Sequence, residues 1–358
     1  MRKFDAQQYL DKKTEAINEF FTKAGLDSVV VGISGGVDSA VVLLLFLHAY
    51  LEPDSPIKKI IALKMPIYGD GVSGQDTTVS KADELMKITN AMDFLNTLQG
   101  EVPVEWRHMD LTDAYNAMVA QAYAMDDTND WTDGQMASVL RTPMFYYQAA
   151  ILQKRGFKSI VSGTTNRDEG AYIGFFGKGS DGMVDIQPIA DLHKSEVYKL
   201  AELLGVPKVI TEDAPRGDVW DSKTDEEMIG APYHFLQKMI EHKCEIYHDY
   251  KQDLGMAGRM WQRWLDTRKG DEKIWSENIE KLHKTNKHKY MVGSPAHFID
   301  VQDRCVPGGW ESIEYIIETY REFAWQNGLT INDKQKFLTG ITEVDEIMAG
   351  GVPKDKLI

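Results

Sequence analysis

The pattern of apolar and polar positions predicts that the chain begins with an amphipathic helix. The apolar residues that recur at helical spacing in this otherwise polar stretch are Leu10, Ile17, Phe20 and Phe21. Gly25 follows them and is a typical residue at the end of a helix. We therefore expect a helix that ends near Gly25 and that packs its apolar stripe against the next element.

Four short runs rich in β-branched and apolar residues predict strands, with helical patterns between them. The predicted strands are residues 28–33, 59–65, 104–109 and 159–162, and the helical patterns include residues 40–50 and 78–91. Asp110 fits the cap of a further helix. Strands that alternate with helices predict an α/β fold with a doubly wound parallel sheet. In such a sheet, ligands bind at the carboxyl ends of the strands.

The second half of the sequence predicts mostly helices. Residues 195–204 predict one helix, whereas residues 211–227 are polar, charged and without periodicity, which favours a mobile lid. Helical patterns rich in Trp and Lys then predict a helical appendage, an insertion at about 235–285. We expect residues 1–300 to form the main domain and residues 301–358 to form a C-terminal extension of undefined role.

Composition and charge restrict the class of function. The 358 residues carry a formal net charge of −15, which disfavours binding to nucleic acid or to an anionic membrane, so small molecules are the expected partners. The two cysteines, Cys244 and Cys305, form no CxxC pair and indicate neither a zinc site nor a disulfide framework, which fits a reducing cytoplasm. No run approaches the ~20 apolar residues of a membrane-spanning helix.

A glycine-rich loop follows the first predicted strand. Its residues are Gly32, Ile33, Ser34, Gly35, Gly36, Val37, Asp38 and Ser39. Glycines and small hydroxyl residues let backbone N–H groups approach phosphate oxygens, and the following helix directs its positive dipole there. Because the GxxxxGK[ST] pattern is absent, the loop favours pyrophosphate binding over hydrolysis of a γ-phosphate. Asp38 among phosphates favours a bridging Mg²⁺ ion. A simple tight turn is the alternative interpretation.

A second set of motifs lies after the fourth predicted strand, at residues 163–169, 174–182, 185–188 and 192–194. The glycine-rich loop resembles that of the PP-loop pyrophosphatase superfamily, whose members cleave ATP between the α and β phosphates. The two sets of motifs together resemble the NAD synthetase family, and the similarity covers roughly residues 5–300. The resemblance implies the adenine nucleotide α-hydrolase-like form of the α/β fold.

This resemblance implies an ATP site with a shared magnesium ion. The residues implied to contact ATP are Gly32, Ile33, Ser34, Gly35, Gly36, Val37, Asp38, Ser39, Lys64, Thr164, Lys194 and Arg216. Asp38, Glu169 and Lys194 are implied as the catalytic group. The two carboxylates would hold Mg²⁺, and Lys194 would stabilise the charge on departing pyrophosphate. A solvated loop charge is the alternative for Glu169, and a surface cation is the alternative for Lys194.

The acid substrate implied by the resemblance is nicotinic acid adenine dinucleotide, or deamido-NAD. The residues implied to bind it are Arg141, Lys178, Asp185, His288 and Lys289. Charged residues are common in glycine-rich loops for solubility alone, so Lys178 and Asp185 also have that interpretation.

Several positions depart from the family pattern. Val37 replaces a commoner Gln, and Arg141 is followed by Pro143 where a second Arg is usual. The run of residues 169–174 is one residue longer than usual, and residues 244–284 form an enlarged insertion. These departures bear on substrate and dimer contacts more than on the chemistry.

The implied reaction has two steps. The substrate carboxylate attacks the α-phosphorus of ATP to give an adenylate and pyrophosphate, and ammonia then displaces AMP to leave the amide. Only 33 residues precede Ser34, and the tail after Asp300 is also short, whereas a glutaminase domain needs ~100–200 residues. We therefore expect free ammonia as the nitrogen donor, although a separate glutaminase subunit stays open. The resemblance also implies a homodimer.

The sequence leaves two other functions open. Another PP-loop ligase, such as a tRNA-modifying enzyme, needs a basic face and usually cysteines that this chain lacks. A nucleotide-binding regulatory or interaction protein without turnover fits the altered surroundings of Arg141, but the presence of Asp38, Glu169 and Lys194 together argues against it. Residues 339–353 resemble the segment before the phosphate loop of recombinase and helicase ATPases, and we interpret them as a non-catalytic tail.

Overall fold

A parallel sheet forms the centre of the protein in the computed structural model. The structure describes residues 2–68, 81–89, 104–123, 130–215, 223–250, 253–290 and 297–298. Within these residues the sheet has six strands in the order β3-β2-β1-β4-β5-β6, and each neighbouring pair is parallel. The strands are β1 (Ser28–Gly32), β2 (Lys59–Lys64), β3 (Val104–His108), β4 (Ser159–Ser162), β5 (Ile186–Gln187) and β6 (His297–Phe298).

The predicted strands and their parallel arrangement are confirmed. Each of β1 to β4 ends at the predicted residue or one residue before it. The sequence did not predict β5 and β6, because each strand has only two residues and is too short to show a strand pattern. β1 lies in the middle of the sheet, where Val30 pairs with Ile61 of β2 and with Val161 of β4.

Helices cover both faces of the sheet, as a doubly wound fold requires. The helices of this part are α1 (Ala6–Ala24), α2 (Val37–Leu51), α3 (81–89), α4 (Thr112–Tyr123), α5 (Asp130–Lys154), α6 (Lys194–Leu203) and α7 (Lys208–Thr211). α1, α2 and α6 pack on the face that contains Val29 and Val31, whereas α4 and α5 pack on the face that contains Val30. The alternation of side chains along β1 therefore supplies both cores.

α2 lies deepest in the protein. Every residue from 40 to 47 has an exposed fraction of 0%. The run contains only Ala, Val, Leu and Phe, so no side chain in it needs contact with water. A helix that is apolar all round must be covered on every side. α1, α6 and the sheet provide that cover. Phe21 of α1 lies edge-on to Phe46 at a centroid distance of 6.0 Å. Gly25 ends α1 in the left-handed conformation with φ of 65°, as predicted.

The helices of the C-terminal half form a third apolar cluster. We call them the helical unit: α8 (Asp225–Ile229), α9 (Tyr233–Asp249), α10 (Leu254–Asp266), α11 (Asp271–Thr285) and α12 (Lys287–Tyr290). Phe235, Met239 and Trp261 lie in its core, together with Tyr172 from a π-helical turn, Asp168–Ile173. The predicted helical appendage is therefore present, and it packs against the turn that follows β4.

The polar stretch of residues 211–227 has a helix at each end. α7 ends at Thr211, and Thr224 caps α8 by accepting a hydrogen bond from the N–H of Glu227. Residues 216–222, with Arg216 among them, and residues 301–358 lie outside the described residues. Among the helices that the structure describes, none is both long and apolar enough to cross a membrane.

A buried ion pair joins α1 to the segment that leads into α6. Lys13 Nζ lies 3.0 Å from each carboxylate oxygen of Asp191, and Tyr9 Oη donates to Asp191 Oδ1 at 2.7 Å. The charged side chains of Lys13 and Asp191 have exposed fractions of 0% and 2%. Because neither charge reaches water, each depends on the other for compensation.

We expect Asp191→Asn to lower the free energy of unfolding by about 3 kcal/mol, because it leaves the Lys13 ammonium buried without its counter-charge. Urea denaturation measures this loss. The double variant Lys13→Met/Asp191→Leu buries no charge at this position and should recover part of the stability. An Asp191→Asn protein as stable as the wild type would contradict a stabilising role for the pair.

Candidate active site

The candidate site lies where the strand order reverses. β1 and β4 are neighbours, and the chain continues from them toward opposite edges of the sheet. A cleft opens at the carboxyl ends of these strands, which is the usual ligand position in this type of fold. The predicted site residues that line the cleft are Gly32, Ile33, Ser34, Lys64, Arg141 and Thr164. The cleft is also lined by Ser180 and Asp181, which belong to the motif at residues 174–182. Ser138, Thr142 and Phe145 line it as well, and the sequence did not single them out.

The loop after β1 forms a cradle at the N-terminus of α2. Gly35 has a φ of 84°, a left-handed conformation that favours glycine, and Gly36 is the cap residue of α2. Ser39 Oγ accepts a hydrogen bond from Ser34 N at 3.3 Å and donates one to Gly36 O at 3.0 Å, which closes the loop. The first N–H groups of α2, beginning with the buried Val37, have no carbonyl partner within the helix and can bind an anion.

Three charged side chains from three segments meet beside this cradle. Lys194 Nζ lies 2.6 Å from Asp38 Oδ2 and 3.1 Å from Glu169 Oε1. Asp38 lies in the first turn of α2, Glu169 in the π-helical turn after β4, and Lys194 at the first residue of α6. The exposed fraction of the Lys194 side chain is only 4%. The structure thus brings together the three residues that the sequence predicted as catalytic.

Burial and neighbouring charges shift the pKa values of this cluster. Burial raises the pKa of Glu169 to about 7; Lys194 opposes this shift, whereas Asp38 and Asp225 add to it. Burial disfavours the charged form of Lys194, but the carboxylates of Asp38 and Glu169 outweigh it and raise the pKa of Lys194 above its usual value. Lys194 is therefore a permanent cation, and Glu169 changes its charge near neutral pH.

Two neutral side chains orient the carboxylates. Tyr233 Oη lies 2.8 Å from Glu169 Oε1 and 3.2 Å from Asp225 Oδ2, and burial together with the Glu169 charge raises the pKa of Tyr233 well above its usual value. Asn166 Nδ2 donates to Asp38 Oδ1 at 3.0 Å, and Asn166 Oδ1 accepts from Glu169 N at 3.2 Å. The sequence analysis assigned no role to Asn166 or Tyr233. The available signal for Asn166 was its position inside residues 163–169, one of the motifs that carried the family resemblance.

A buried carboxylate ties together the segments that carry Glu169 and Lys194. Asp168 Oδ2 accepts from Lys194 N at 2.8 Å, and Asp168 Oδ1 lies 2.6 Å from His193 Nδ1. The side chains of Asp168 and His193 are both 0% exposed. Glu196 accepts from His193 N at 2.9 Å and so caps α6 from within its first turn. These contacts fix the N-terminus of α6 relative to the π-helical turn.

Asp38 and Glu169 fit a divalent cation. Mg²⁺ prefers oxygen ligands and often binds through one or two carboxylates, with phosphate oxygens and water as further ligands. One ammonium group contacts both carboxylates, so both can reach one ion, and the repulsion that raises the pKa of Glu169 would be relieved by a dication. The described residues contain no group of three or more His, Cys, Asp or Glu side chains suited to a metal. Phosphates of a nucleotide would therefore have to complete such a site.

Lys64 and Arg141 line the cleft and are held by protein contacts. Lys64 Nζ lies 2.6 Å from Asp83 Oδ1 of α3. Arg141 Nε donates to the carbonyl oxygen of Met65 at 3.1 Å. Two cations thus face a cleft in which an anionic ligand is expected. Thr164 lies beside them after the end of β4.

His288 and Lys289 lie in α12 at the end of the helical unit, and Lys178 lies near Lys289 in the loop after the π-helical turn. Lys289 Nζ donates to the carbonyl oxygens of Gly174 and Phe176 at 3.0 and 2.6 Å. Burial lowers the pKa of Lys289, and the nearby charge of Lys178 lowers it further. His288 and Lys178 are exposed. The structure therefore groups three basic residues that the sequence had assigned to the acid substrate.

Asp185 has a different environment from these residues. Its Oδ2 accepts from Val161 N at 2.7 Å, and its Oδ1 accepts from Tyr146 Oη at 3.3 Å. The carboxylate therefore supports β4 and α5, and Asp185 does not belong to the lining of the cleft.

These features define a nucleotide-binding α/β protein, with a phosphate cradle and an ion cluster at the point where the strand order reverses. The family model for NAD synthase matches residues 9–292. The chain belongs to the NAD synthase family.

Relatives and solved structures agree with this assignment. The chain is 32% identical to the NH(3)-dependent NAD(+) synthetase of Thermoplasma volcanium over 64% of this chain and 82% of that protein. It is 28% identical to that of Pyrococcus horikoshii over 81% of this chain and 96% of that protein. The NMN synthetase from Francisella tularensis has a similar fold, with a TM-score of 0.57 at 24% identity over 80% of this chain and 96% of that one. For the NH3-dependent NAD synthetase from Campylobacter jejuni the TM-score is 0.55 at 19% identity, over 84% of this chain and 100% of that one.

In the ligand-free protein, Glu169 should make stability depend on pH. Its pKa is about 7 in the folded protein, above the value of about 4.3 in an unfolded chain. The folded state therefore holds this proton more tightly. The stabilisation from Glu169 is complete below the unfolded pKa and is lost as the pH rises through about 7.

We expect Glu169→Gln, which cannot ionise, to gain on the order of 2 kcal/mol of stability relative to the wild type between about pH 5 and about pH 8. Urea denaturation over this pH range measures the difference. Glu84→Gln, at a position on α3 where the side chain is 45% exposed, is the control. If the difference between the wild type and Glu169→Gln stayed constant with pH, Glu169 would not be buried among like charges.

Proposed function

We propose that the chain catalyses the ATP-dependent amidation of nicotinic acid adenine dinucleotide by ammonia, which gives NAD, AMP and pyrophosphate. Family membership and the NH(3)-dependent NAD(+) synthetases among its relatives support this reaction. The structural observation that carries it is the Lys194 ammonium between Asp38 and Glu169, beside the N-terminus of α2. ATP is an abundant cytoplasmic metabolite, and the cytoplasm is the compartment that we propose.

The first step joins the substrate carboxylate to the α-phosphorus of ATP and expels pyrophosphate. The first N–H groups of α2 and the dipole of this helix would hold the polyphosphate. Lys194 would supply positive charge as the pyrophosphate leaves, and its raised pKa keeps it protonated. Because the substrate itself provides the nucleophile, this step depends on positioning and electrostatics rather than on a reactive side chain.

Asp38 and Glu169 are the residues that we propose to hold Mg²⁺ together with the phosphates of ATP. The bound ion would neutralise part of the phosphate charge. Only the ionised form of Glu169 is a ligand, so a pKa of about 7 makes the affinity for the ion fall as the pH drops through that value. Tyr233 keeps the Glu169 carboxylate oriented by donating a hydrogen bond to it.

The acid substrate carries a pyrophosphate and a nicotinate carboxylate, and both need positive charge. Lys64 and Arg141 line the cleft next to the cradle, and Lys178, His288 and Lys289 form the basic group at the end of the helical unit. We propose that these two groups bind opposite parts of the dinucleotide. In the second step ammonia displaces AMP, which requires the site to keep water away from the adenylate.

Coupled release of pyrophosphate and NAD is the test of this function. The wild type, given ATP, Mg²⁺, ammonium and nicotinic acid adenine dinucleotide, should form both products in equal amounts. We expect Asp38→Ala to lower kcat by about a hundredfold or more, because it removes a carboxylate from the centre of the site. Asp249→Ala, at a position 73% exposed on α9, is the matched control and should keep full activity.

A parallel assay with nicotinic acid mononucleotide tests the choice of substrate, because a protein of similar fold is an NMN synthetase. If pyrophosphate were released with the mononucleotide and not with the dinucleotide, the substrate would be the mononucleotide and the type of reaction would stay as proposed. ATP binding without pyrophosphate release from either acid would overturn the synthetase function in favour of a nucleotide-binding protein without turnover.

We propose that the protein assembles as a homodimer through the outer side of α5. Large apolar side chains stay exposed there: Trp131, Val139 and Tyr147 on the helix, and Met183 in a nearby loop, have exposed fractions of 58%, 43%, 59% and 43%. A concentration of such residues on one surface is typical of an interface.

Sedimentation velocity tests the dimer. We expect Tyr147→Glu to shift the protein toward the monomer, because it would bury a charge in the proposed interface. Ile274→Glu makes the same type of change at a position 56% exposed on α11 and should leave the assembly unchanged. A wild type that sediments as a monomer at micromolar concentration would contradict this proposal.

A further inference from the structure

The turn that carries Glu169 has an unusual backbone. Residues Asp168–Ile173 form a π-helix, in which hydrogen bonds span one residue more than in an α-helix. The N–H of Phe175 donates to the carbonyl oxygen of Glu169 at 2.8 Å, and Gly174 ends the turn with a φ of 59°. Because a π-helical turn is less stable in isolation than an α-helical one, contacts from outside must hold it.

Those contacts come from the helical unit. Three successive carbonyl oxygens at the end of the turn accept hydrogen bonds from α11, its C-terminal cap residue and α12. His283 Nδ1 lies 2.7 Å from Tyr172 O. Asn286 Nδ2 donates to Ile173 O at 2.9 Å, and Lys289 Nζ donates to Gly174 O at 3.0 Å. The end of the turn is thus attached to the helical unit residue by residue.

Tyr172 is the side chain through which the turn enters the helical unit. It is fully buried, and its ring stacks on His283 with a centroid distance of 4.2 Å and an interplanar angle of 8°. Its hydroxyl group donates to Glu280 of α11 and accepts from Lys243 Nζ of α9 at 3.1 Å. Lys243 is itself buried and lies 4.6 Å from the centre of the Tyr172 ring. One phenol thus joins the turn to α9 and α11.

The same helix, α9, also contacts the carboxylate of Glu169. Tyr233, the first residue of α9, donates to Glu169 Oε1 at 2.8 Å. The helical unit therefore holds the turn through Tyr172, and it holds the carboxylate of Glu169 through Tyr233. A shift of the turn relative to α9 would change the position of Glu169 with respect to Lys194 and Asp38.

We infer that Tyr172 is a positioning residue for Glu169, and that the helical unit acts on the reaction through its contacts with the Tyr172 hydroxyl group. This inference rests on the proposed function of Glu169 as a ligand in the active site. Tyr172 itself lies in the core of the helical unit and touches no reacting atom. Its effect on catalysis passes along the π-helical turn, three residues from Glu169.

Tyr172→Phe tests this inference because it keeps the stacked ring and removes only the hydroxyl group. We expect kcat to fall about tenfold, with KM for ATP changed by less than about twofold, since the ground-state contacts of ATP stay in place. Amide hydrogen exchange at Phe175, whose N–H bonds to Glu169 O, should become faster. This second readout requires neither metal nor substrate.

Tyr247→Phe is the matched control. Tyr247 is a buried tyrosine of α9 in the same apolar cluster as Tyr172, and Lys243 lies 5.8 Å from the centre of its ring. We expect this variant to keep the wild-type kcat and the wild-type exchange at Phe175. Glu280→Gln weakens the other partner of the Tyr172 hydroxyl group and should change both readouts in the same direction as Tyr172→Phe.

Wild-type kcat and wild-type exchange in Tyr172→Phe would overturn the inference. Equal losses in Tyr172→Phe and Tyr247→Phe would also overturn it, because the effect would then be general destabilisation of the helical unit. If Tyr172→Phe failed to fold, Glu280→Gln would decide between these outcomes. An inactive wild type would contradict the proposed function rather than this inference. The exchange rate of the Phe175 amide would then still show whether the Tyr172 hydroxyl group holds the turn.

Discussion

The buried ammonium group of Lys194 is the interaction on which the rest of the site depends. Asp38 and Glu169 come from segments that follow two different strands, and without a cation between them their charges would repel each other in a region with little water. A lysine alone at this depth would also be unfavourable. Each charge is tolerable only because the others are present, so the cluster links α2, α6 and the π-helical turn.

The surroundings of Lys194 show how the fold keeps this cluster in place. Asp168 holds the backbone of Lys194, and Arg2 pairs with Glu196 two residues further along α6. The Lys13–Asp191 pair fixes the segment before α6 to α1. On the other side, the helical unit holds the turn that carries Glu169. Contacts between residues far apart in the chain therefore determine the relative position of the two carboxylates and the ammonium group.

The sequence predicted the three charged residues of this cluster, but it did not predict the long-range contacts that hold them. Strands β1 to β4 have strong apolar patterns, and the motifs contain Asp38, Glu169 and Lys194. The pairing of Tyr233 with Glu169 spans 64 residues, and that of Tyr172 with Glu280 spans 108, so no local pattern contains them. The extra residue in the run of residues 169–174 was visible, but only the structure relates it to a π-helical turn held by the enlarged insertion.

We propose that Asp38 and Glu169, held together by Lys194, form the cation site for ATP. Calorimetric titration with Mg²⁺ and α,β-methylene-ATP, in two buffers of different ionisation enthalpy near pH 6.5, counts the protons released on binding. We predict that the wild type releases a larger fraction of a proton than Glu169→Gln, because the ion displaces the proton from Glu169. Equal proton release and equal affinity in the two proteins would contradict the claim.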